Sequence, residues 1–120
     1  MRFEPITRNN DFIRAYKRGK AFVSPQLVLY VNKTRTGKTR VGITATKKVG
    51  KAVQRNRARR VLRHALYQVM PVSGIGSRDI VLVARGATPY LKSTKVAQIL
   101  VHLFQQAGLT LKENALEENA

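Results

Sequence analysis

A long stretch without acidic residues limits what this chain can fold into more than any other feature. Between Asp11 and Asp79 the chain runs 67 residues without an aspartate or glutamate, and 17 of them are lysine or arginine. So much like charge repels itself and destabilises a compact monomer, which favours a polyanion as partner. Apolar residues recur through the stretch at intervals that suit folding, so we expect a folded basic surface and not a disordered basic tail. Nucleic acid is the expected partner.

Length and composition exclude several classes of protein. The chain has 120 residues, a net charge of +17 at pH 7 and a hydrophobic content of 43%, which indicates one domain with a single core. The absence of cysteine excludes disulfides, thiolate metal sites and thiol nucleophiles. No apolar stretch is long enough to span a membrane, and the first residues lack the apolar segment of a signal peptide. We therefore expect a cytoplasmic protein.

The hydrophobic pattern predicts an α+β domain in the order helix, strand, strand, helix, strand, helix. The predicted helices span 10–18, 51–70 and 94–107, and the predicted strands span 26–31, 40–46 and 79–84. Polar residues 32–39 predict a hairpin-type connection between the first two strands. The unbroken apolar run of the third strand indicates burial on both faces. The second helix must cross between strands, which favours a parallel pair around it.

Glycines and a change in composition mark the ends of the elements. Gly19 and Gly108 are expected to end helices in the left-handed conformation. Residues 111–120 hold three of the six acidic residues and no turn signals. We expect a domain of residues 1–110, followed by a disordered acidic tail at 111–120.

The predicted second helix separates apolar from basic side chains. At 100° per residue its apolar residues share one side, which can pack on a sheet: Ala58, Val61, Leu62, Ala65, Leu66 and Val69. The opposite side carries Arg55, Asn56, Arg59, Arg60, Arg63 and His64. Like charges spaced this way cost an isolated helix roughly a few tenths of a kcal/mol per pair, and a merely solvated face normally mixes both signs. The planar fork of arginine suits phosphate, so this side is predicted to contact a nucleic-acid backbone.

Three lysines precede this helix and extend its charge. Lys47, Lys48 and Lys51 lie where a predicted strand gives way to the helix. Backbone N–H groups and the positive end of the helix dipole add to the positive potential there. A surface of this kind reads backbone geometry and not base sequence.

Four aromatic residues near the N-terminus alternate with basic ones. They are Phe12, Tyr16, Phe22 and Tyr30, interleaved with Arg14, Lys17, Arg18 and Lys20. Aromatic faces beside cations hold single-stranded nucleic acid by stacking and charge neutralisation. The other interpretation places the rings in the core. The core is favoured for Phe22, and both interpretations stay open for the other three.

No catalytic constellation or metal site stands out in the sequence. Glu4, Asp11 and Asp79 are the only acids before the last ten residues, and no two are neighbours. His64 and His102 have no obvious carboxylate partner. Because a metal-dependent nuclease usually needs several carboxylates around its ions, we expect neither catalytic residues nor metal ligands in this chain.

Residues 47–63 closely resemble the signature of the bacterial ribonuclease P protein subunit. The stretch reads KKVGKAVQRNRARRVLR, with two lysines, a glycine, Ala-Val, Arg-Asn-Arg and a basic pair. Asp11-Phe12 with residues 17–20 resembles the family's N-terminal segment, and residues 27–30, 41–43 and 79–85 resemble its three main strands. Arg59 stands where lysine is common, which keeps the charge. The acidic tail is not part of the pattern.

The resemblance implies a fold and an activity. The fold is an α/β sandwich whose small central sheet contains a left-handed βαβ crossover, opposite to the usual hand. The activity is that of ribonuclease P, an endoribonuclease that removes the 5′ leader from precursor tRNA. This chain would be a subunit whose partners are the catalytic RNA and precursor tRNA, with no membrane and no small-molecule substrate. The catalytic centre and its Mg²⁺ are expected in the RNA subunit.

The resemblance also assigns roles by position. It assigns contact with the RNA subunit to Lys47, Lys48, Lys51, Arg55, Asn56, Arg57, Arg59, Arg60 and Arg63. It assigns the cleft that holds the single-stranded leader to Phe12, Tyr16, Lys17 and Tyr30.

Three other functions are weighed against this one. A small basic structural RNA-binding protein of ribosomal type fits the composition, and would bind RNA without affecting precursor-tRNA cleavage. A protein-only nuclease would cleave without an RNA subunit, and the scarcity of carboxylates argues against it. A DNA-compacting protein is the weakest alternative, because no dimerising element is evident.

Overall fold

A five-stranded sheet with helices on both faces forms the protein, whose computed structural model describes residues 4–70 and 75–109. The strands are β1 (Glu4–Pro5), β2 (Lys20–Val23), β3 (Leu27–Lys33), β4 (Thr39–Thr44) and β5 (Arg78–Ala84). The helices are α1 (Asn9–Arg18), α2 (Ala52–Val69) and α3 (Ser93–Gln106). The predicted α+β class and element order are confirmed, with the short strands β1 and β2 added. The acidic segment 111–120 lies outside the described residues.

The sheet is built around its last strand. The strand order is β1-β4-β5-β3-β2, with β5 parallel to β4 and antiparallel to β3. Helix α2 connects β4 to β5, so the predicted parallel pair around this helix is confirmed. Ile80, Val81 and Leu82 at the centre of β5 are fully buried. Burial of β5 on both faces is therefore confirmed as well. The left hand of the crossover stays a prediction.

The predicted hairpin between β3 and β4 is wrong. These two strands are not neighbours, because β5 lies between them. The connecting loop crosses the start of β5, where the Thr34 and Gly37 N–H groups donate to the Ser77 carbonyl and Ser77 Oγ, each at 3.0 Å. A polar loop between two strands does not by itself specify their pairing. The apolar side chains of β5 are best covered at the centre of the sheet, and that burial decides the order.

Alternation along the strands gives two cores, one on each face. Leu29 and Leu82 point into the main core, which α2 and α3 cover with residues such as Leu62 and Phe104. Val81 points to the opposite face, where α1 covers it with Ala15. The sheet is thus sandwiched between α1 on one face and α2 with α3 on the other. Among the residues that the structure describes, no helix is long and apolar enough to cross a membrane.

The two glycines expected to end helices behave differently. Gly108, after α3, has a φ of 75°, as predicted. Gly19, after α1, has a φ of −78°, so the left-handed prediction is wrong there. Glycine is needed at position 19 for space, because a Cβ would lie 2.5 Å from the Ala15 carbonyl oxygen.

Candidate nucleic-acid interface

Helix α2 presents its basic residues to solvent and its apolar residues to the core, as its periodicity predicts. Ala58, Leu62, Ala65, Leu66 and Val69 are buried. Asn56, Arg57, Arg60 and Arg63 are exposed, whereas Arg55 and Arg59 are half-buried. No ion pair among the described residues involves an α2 arginine. We call this exposed side, from Arg55 to Arg63, the α2 surface.

Two predicted RNA-binding residues already have partners within the protein. The Nη1 of Arg55 donates to the Gly50 carbonyl at 3.0 Å, which braces the turn before α2, where Gly50 has a φ of 140°. The Nη1 of Arg59 donates to Oδ1 of Asn56 at 2.8 Å. Arg55 therefore has a structural role that its spacing did not reveal, and Asn56 orients the guanidinium of Arg59.

An open groove runs along the α2 surface. Its volume is about 420 Å³, and it is lined by Val53, Asn56, Arg59, Arg60 and Arg63. Val53 is 74% exposed, so the groove combines four polar or basic side chains with one apolar side chain. Sequence reasoning missed Val53, although an apolar residue in the first turn of a basic helix was the available signal.

The predicted lysines lie at the end of the sheet that leads into α2. Lys47 and Lys48 are exposed on a single 3-10 turn (Lys47–Val49), which the buried side chain of Val49 anchors. Lys51 occupies the N-cap position of α2, and its side chain makes no capping hydrogen bond. The first turn of α2 contains no acidic residue, so nothing there offsets the positive helix dipole.

Three of the predicted aromatic residues meet on the opposite face of the sheet. The rings of Tyr16 and Tyr30 lie edge to face, with centroids 4.9 Å apart. Phe12 is half-buried on the same face, and its ring lies so close over Gly42 that a Cβ there would be 2.4 Å from Phe12 Cε1. Tyr16 is 40% exposed, and Lys17 beside it is exposed. Phe22 instead packs against the main core, as its sequence context favoured.

Next to the aromatic cluster, on the same face of the sheet, lies a groove whose lining includes the lysines. Val28 and Val83 pair across β3 and β5, next to the pair of Tyr30 and Val81 on the same face. A groove of about 730 Å³ lies over them and is also lined by Lys47, Lys48 and Arg85. Tyr16, Tyr30, Val28 and Val83 with this basic rim are called the aromatic groove below.

Val28, Val83 and Arg85 were not predicted as site residues. The two valines alternate with core residues along their strands, and nothing in the sequence distinguishes a groove floor from a second core. Arg85 offered a signal, because a single arginine directly after an apolar strand lies where that strand leaves the sheet. Its Nη1 donates to the Ser24 carbonyl at 3.4 Å, and the residue is exposed.

A buried network of charges fixes α1 over the sheet. Arg40 donates from Nε and Nη2 to the two carboxylate oxygens of Asp79, at 2.8 and 2.6 Å, and from Nη1 to Asp11 Oδ2 at 3.4 Å. Asp79 is only 1% exposed. The hydrogen bond to Asp79 raises the pKa of Arg40 above its ordinary value, despite its partial burial. This geometry gives Asp79 a structural role, because its buried carboxylate holds the guanidinium of Arg40.

Comparison with known proteins identifies the family. The sequence model of the family described as Ribonuclease P matches residues 1–108. The ribonuclease P protein component of Clostridium botulinum (strain Loch Maree / Type A3) is 31% identical over 109 residues, 91% of this chain and 98% of that protein. That of Clostridioides difficile (strain 630) is 39% identical over 84 residues, 70% of this chain and 74% of that protein.

Solved structures agree with the sequence relatives. The structure of the Staphylococcus aureus RNase P protein is similar with a TM-score of 0.74 and 30% identity, over 88% of this chain and 96% of that one. The RNase P protein from Thermotoga maritima is similar with a TM-score of 0.70 and 25% identity, over 86% of this chain and 96% of that one. The family suggested by residues 47–63 is confirmed, and the chain belongs to the ribonuclease P protein component family.

Proposed function

We propose that this protein binds the RNA subunit of ribonuclease P through the α2 surface and Lys47, Lys48 and Lys51. Arginines on one face of a helix suit phosphate groups held in a fixed arrangement, because each planar guanidinium can contact a phosphate with two hydrogen bonds. The guanidinium groups of Arg57, Arg60 and Arg63 form no ion pair within the part of the chain that the structure describes. Asn56 orients the guanidinium of Arg59. Arg55 contributes charge while it braces the turn before the helix.

The aromatic groove is proposed to hold the single-stranded 5′ leader of precursor tRNA. Exposed Tyr16 offers a surface for a base, and Lys17, Lys47, Lys48 and Arg85 can neutralise phosphates along the groove. The observation that carries this proposal is the continuity of the groove with Lys47 and Lys48. A leader in the groove would thereby emerge beside the RNA subunit bound to the α2 surface.

The chemistry is assigned to the RNA subunit, where Mg²⁺ would activate water and stabilise the leaving oxygen. Every carboxylate of the described residues already faces a cation: Glu4 faces Lys38, and Asp11 and Asp79 both face Arg40. These side chains do not fit a protein-borne Mg²⁺ site, which needs several free oxygen ligands. The protein would assist by lowering phosphate repulsion, which improves affinity for both Mg²⁺ and substrate. Its cytoplasmic location stays a prediction.

The decisive test is cleavage of a precursor tRNA at low Mg²⁺ by a bacterial ribonuclease P RNA, with and without this protein. We expect efficient cleavage only when both are present, because the protein offsets charge that Mg²⁺ would otherwise have to neutralise. Cleavage by the protein alone would contradict the assignment of chemistry to RNA. Tight binding of the RNA without any gain in cleavage would instead favour the structural RNA-binding role.

A further inference from the structure

A second cationic groove lies at the end of α3, on the face of the sheet opposite the aromatic groove. Its volume is about 500 Å³, and Arg18, Lys20, Lys33 and Arg78 contribute its charge. Phe22 and Val31 add apolar surface, and the chain after α3 closes one side at Leu109. We call it the α3-end groove. The family resemblance and the proposed function assign none of these residues except as parts of strands or of the N-terminal segment.

The register of the sheet brings three of these cations together on one face. Lys33 on β3 lies directly opposite Arg78 on β5. Lys20 on β2 lies opposite Val31, which is two residues before Lys33 and therefore on the same face. Like charges directly opposite across neighbouring strands destabilise a sheet. The repulsion between these cations therefore destabilises the sheet both between its inner strands β3 and β5 and towards edge strand β2.

Carboxylates do not offset this charge among residues 4–70 and 75–109. The ion pairs of the described residues involve Arg14, Lys38 and Arg40 only. Arg78 donates from Nη1 to the Ile75 carbonyl, which fixes its position without reducing its charge. A lysine on edge strand β2 is a common defence against aggregation, but this reason does not apply to Lys33 or Arg78 on inner strands.

The α3-end groove is separate from the α2 surface. Helix α3 packs between them, because it contacts both α2 and β2. Its exposed side chains near the groove include neither lysine nor arginine: they are Gln98, His102, Gln105 and Gln106. A strip without these cations thus divides the two basic regions, so one short RNA segment on α2 does not account for both.

We propose that the α3-end groove binds a second, single-stranded segment of RNA through its phosphates. A cationic groove with an aromatic side chain in it is the arrangement that holds single-stranded nucleic acid. Phe22 is half-buried against the main core, and the part of its side chain that lines the groove supplies this aromatic surface. This inference goes beyond contact with the RNA subunit through α2 and rests on the proposed function only in taking RNA as the partner. An acidic peptide, including residues 111–120 of this chain, is the competing occupant.

The test compares two double variants of the full chain by binding of a fluorescent 12-nucleotide oligouridine over a range of salt concentrations. Lys20→Ala with Lys33→Ala removes two charges from the groove and leaves the positioned Arg78 in place. Lys92→Ala with Lys95→Ala removes the same charge at the other end of α3, about 20 Å away at 1.5 Å per helical residue. The groove variant is expected to bind more weakly, with a salt slope less steep by about 0.7 for each phosphate that the protein no longer neutralises. The control variant is expected to keep the parent slope.

Other outcomes overturn the proposal in distinguishable ways. Equal slopes for the groove variant and the control would show that the groove does not bind RNA. Arg57→Ala with Arg60→Ala, measured on the ribonuclease P RNA in the same experiment, tests the α2 surface separately, so the failure of one site does not hide the other. A chain that ends at Leu109 is compared with the full chain in the same assay. If Lys20 and Lys33 contribute to oligouridine binding only in the shortened chain, the acidic segment 111–120 occupies the groove in the full chain, and the proposal is wrong.

Discussion

At the scale of single residues, Arg40 joins two distant parts of the chain. Its guanidinium bonds to Asp79, 39 residues away, and to Asp11, 29 residues away. Asp11 belongs to α1, and α1 carries Phe12 and Tyr16. The position of the aromatic groove therefore depends on a side chain that does not line it. No sequence pattern predicts this network, because the pairing register of β4 and β5 brings Arg40 and Asp79 together and that register cannot be read from the sequence.

Replacement of Arg40 by alanine is expected to destabilise the protein by about 3 kcal/mol, because it leaves the carboxylate of Asp79 buried without its partner. Arg14→Ala is the matched control, since Arg14 forms a half-exposed ion pair with Asp11. Loss of such a pair is expected to lower the free energy of unfolding by less than about 1 kcal/mol. Urea unfolding monitored by circular dichroism measures both. Equal losses for the two variants would show that the buried pair contributes no more than a surface pair.

The pH dependence of the stability contributed by Arg40 follows from the direction in which folding shifts its pKa. The pKa of Arg40 is raised in the folded protein, so its stabilising effect is fully present below its ordinary pKa. It is lost only as the pH rises through the still higher folded value. Arginine titration in this network is therefore expected to leave stability unchanged across the physiological range.

Tyr16→Ala is expected to weaken the binding of leader-bearing precursor tRNA by about 1–3 kcal/mol, the range for loss of one stacked base, while binding of mature tRNA is unchanged. Tyr90→Ala is the matched control, because Tyr90 is 71% exposed and lies outside the aromatic groove. Filter binding to the holoenzyme with both RNAs measures the difference. Equal losses for precursor and mature tRNA would contradict the leader assignment.

At the scale of elements, the α2 surface combines arginines that have different contacts within the protein. Arg57 and Arg60 are exposed, whereas Arg55 also braces the turn at Gly50. Helical periodicity predicted which face is basic, because the number of residues per turn determines the direction in which each side chain leaves the helix axis. It could not separate Arg55 from its neighbours, since that difference arises from the turn before the helix.

Arg57→Ala with Arg60→Ala is expected to make the salt slope for binding ribonuclease P RNA less steep, by about 0.7 to 0.9 for each phosphate left without its arginine. Thermal stability is expected to change little, because neither guanidinium has a hydrogen-bond or ion-pair partner among residues 4–70 and 75–109 and both repel their basic neighbours. Arg55→Ala is expected to lower thermal stability clearly more than the double variant. A double variant that unfolds, or that keeps the parent salt slope, would contradict the binding role.

Strand prediction succeeded where side chains are buried and failed where they are not. The apolar run of β5 predicted a central strand correctly. β1 has two residues, both exposed, and β2 has four that are mostly exposed, so each is too short to show an alternation of buried and exposed side chains. The hairpin between β3 and β4 was mispredicted because a local loop signal cannot reveal that a strand more than 30 residues later is inserted between them.

At the scale of the whole molecule, a net charge of +17 on 120 residues opposes folding. Millimolar inorganic phosphate is expected to raise the melting temperature with saturation, because an anion that binds only the folded state stabilises it by mass action. Chloride at equal ionic strength is the control, and differential scanning fluorimetry is the measurement. Equal melting temperatures in the two salts would show that the folded chain tolerates its charge without bound anions.

The central position of β5 has a consequence for synthesis. Its residues emerge from the ribosome after β3, β4 and all of α2, yet both β3 and β4 need β5 as their neighbour. Until then the nascent chain presents two strands with unpaired inner edges and a strongly basic helix without a sheet to pack on. A sheet that closes last is slow to form and open to misassociation. Until β5 has left the ribosome, the nascent chain is therefore expected to associate readily with other chains and with RNA.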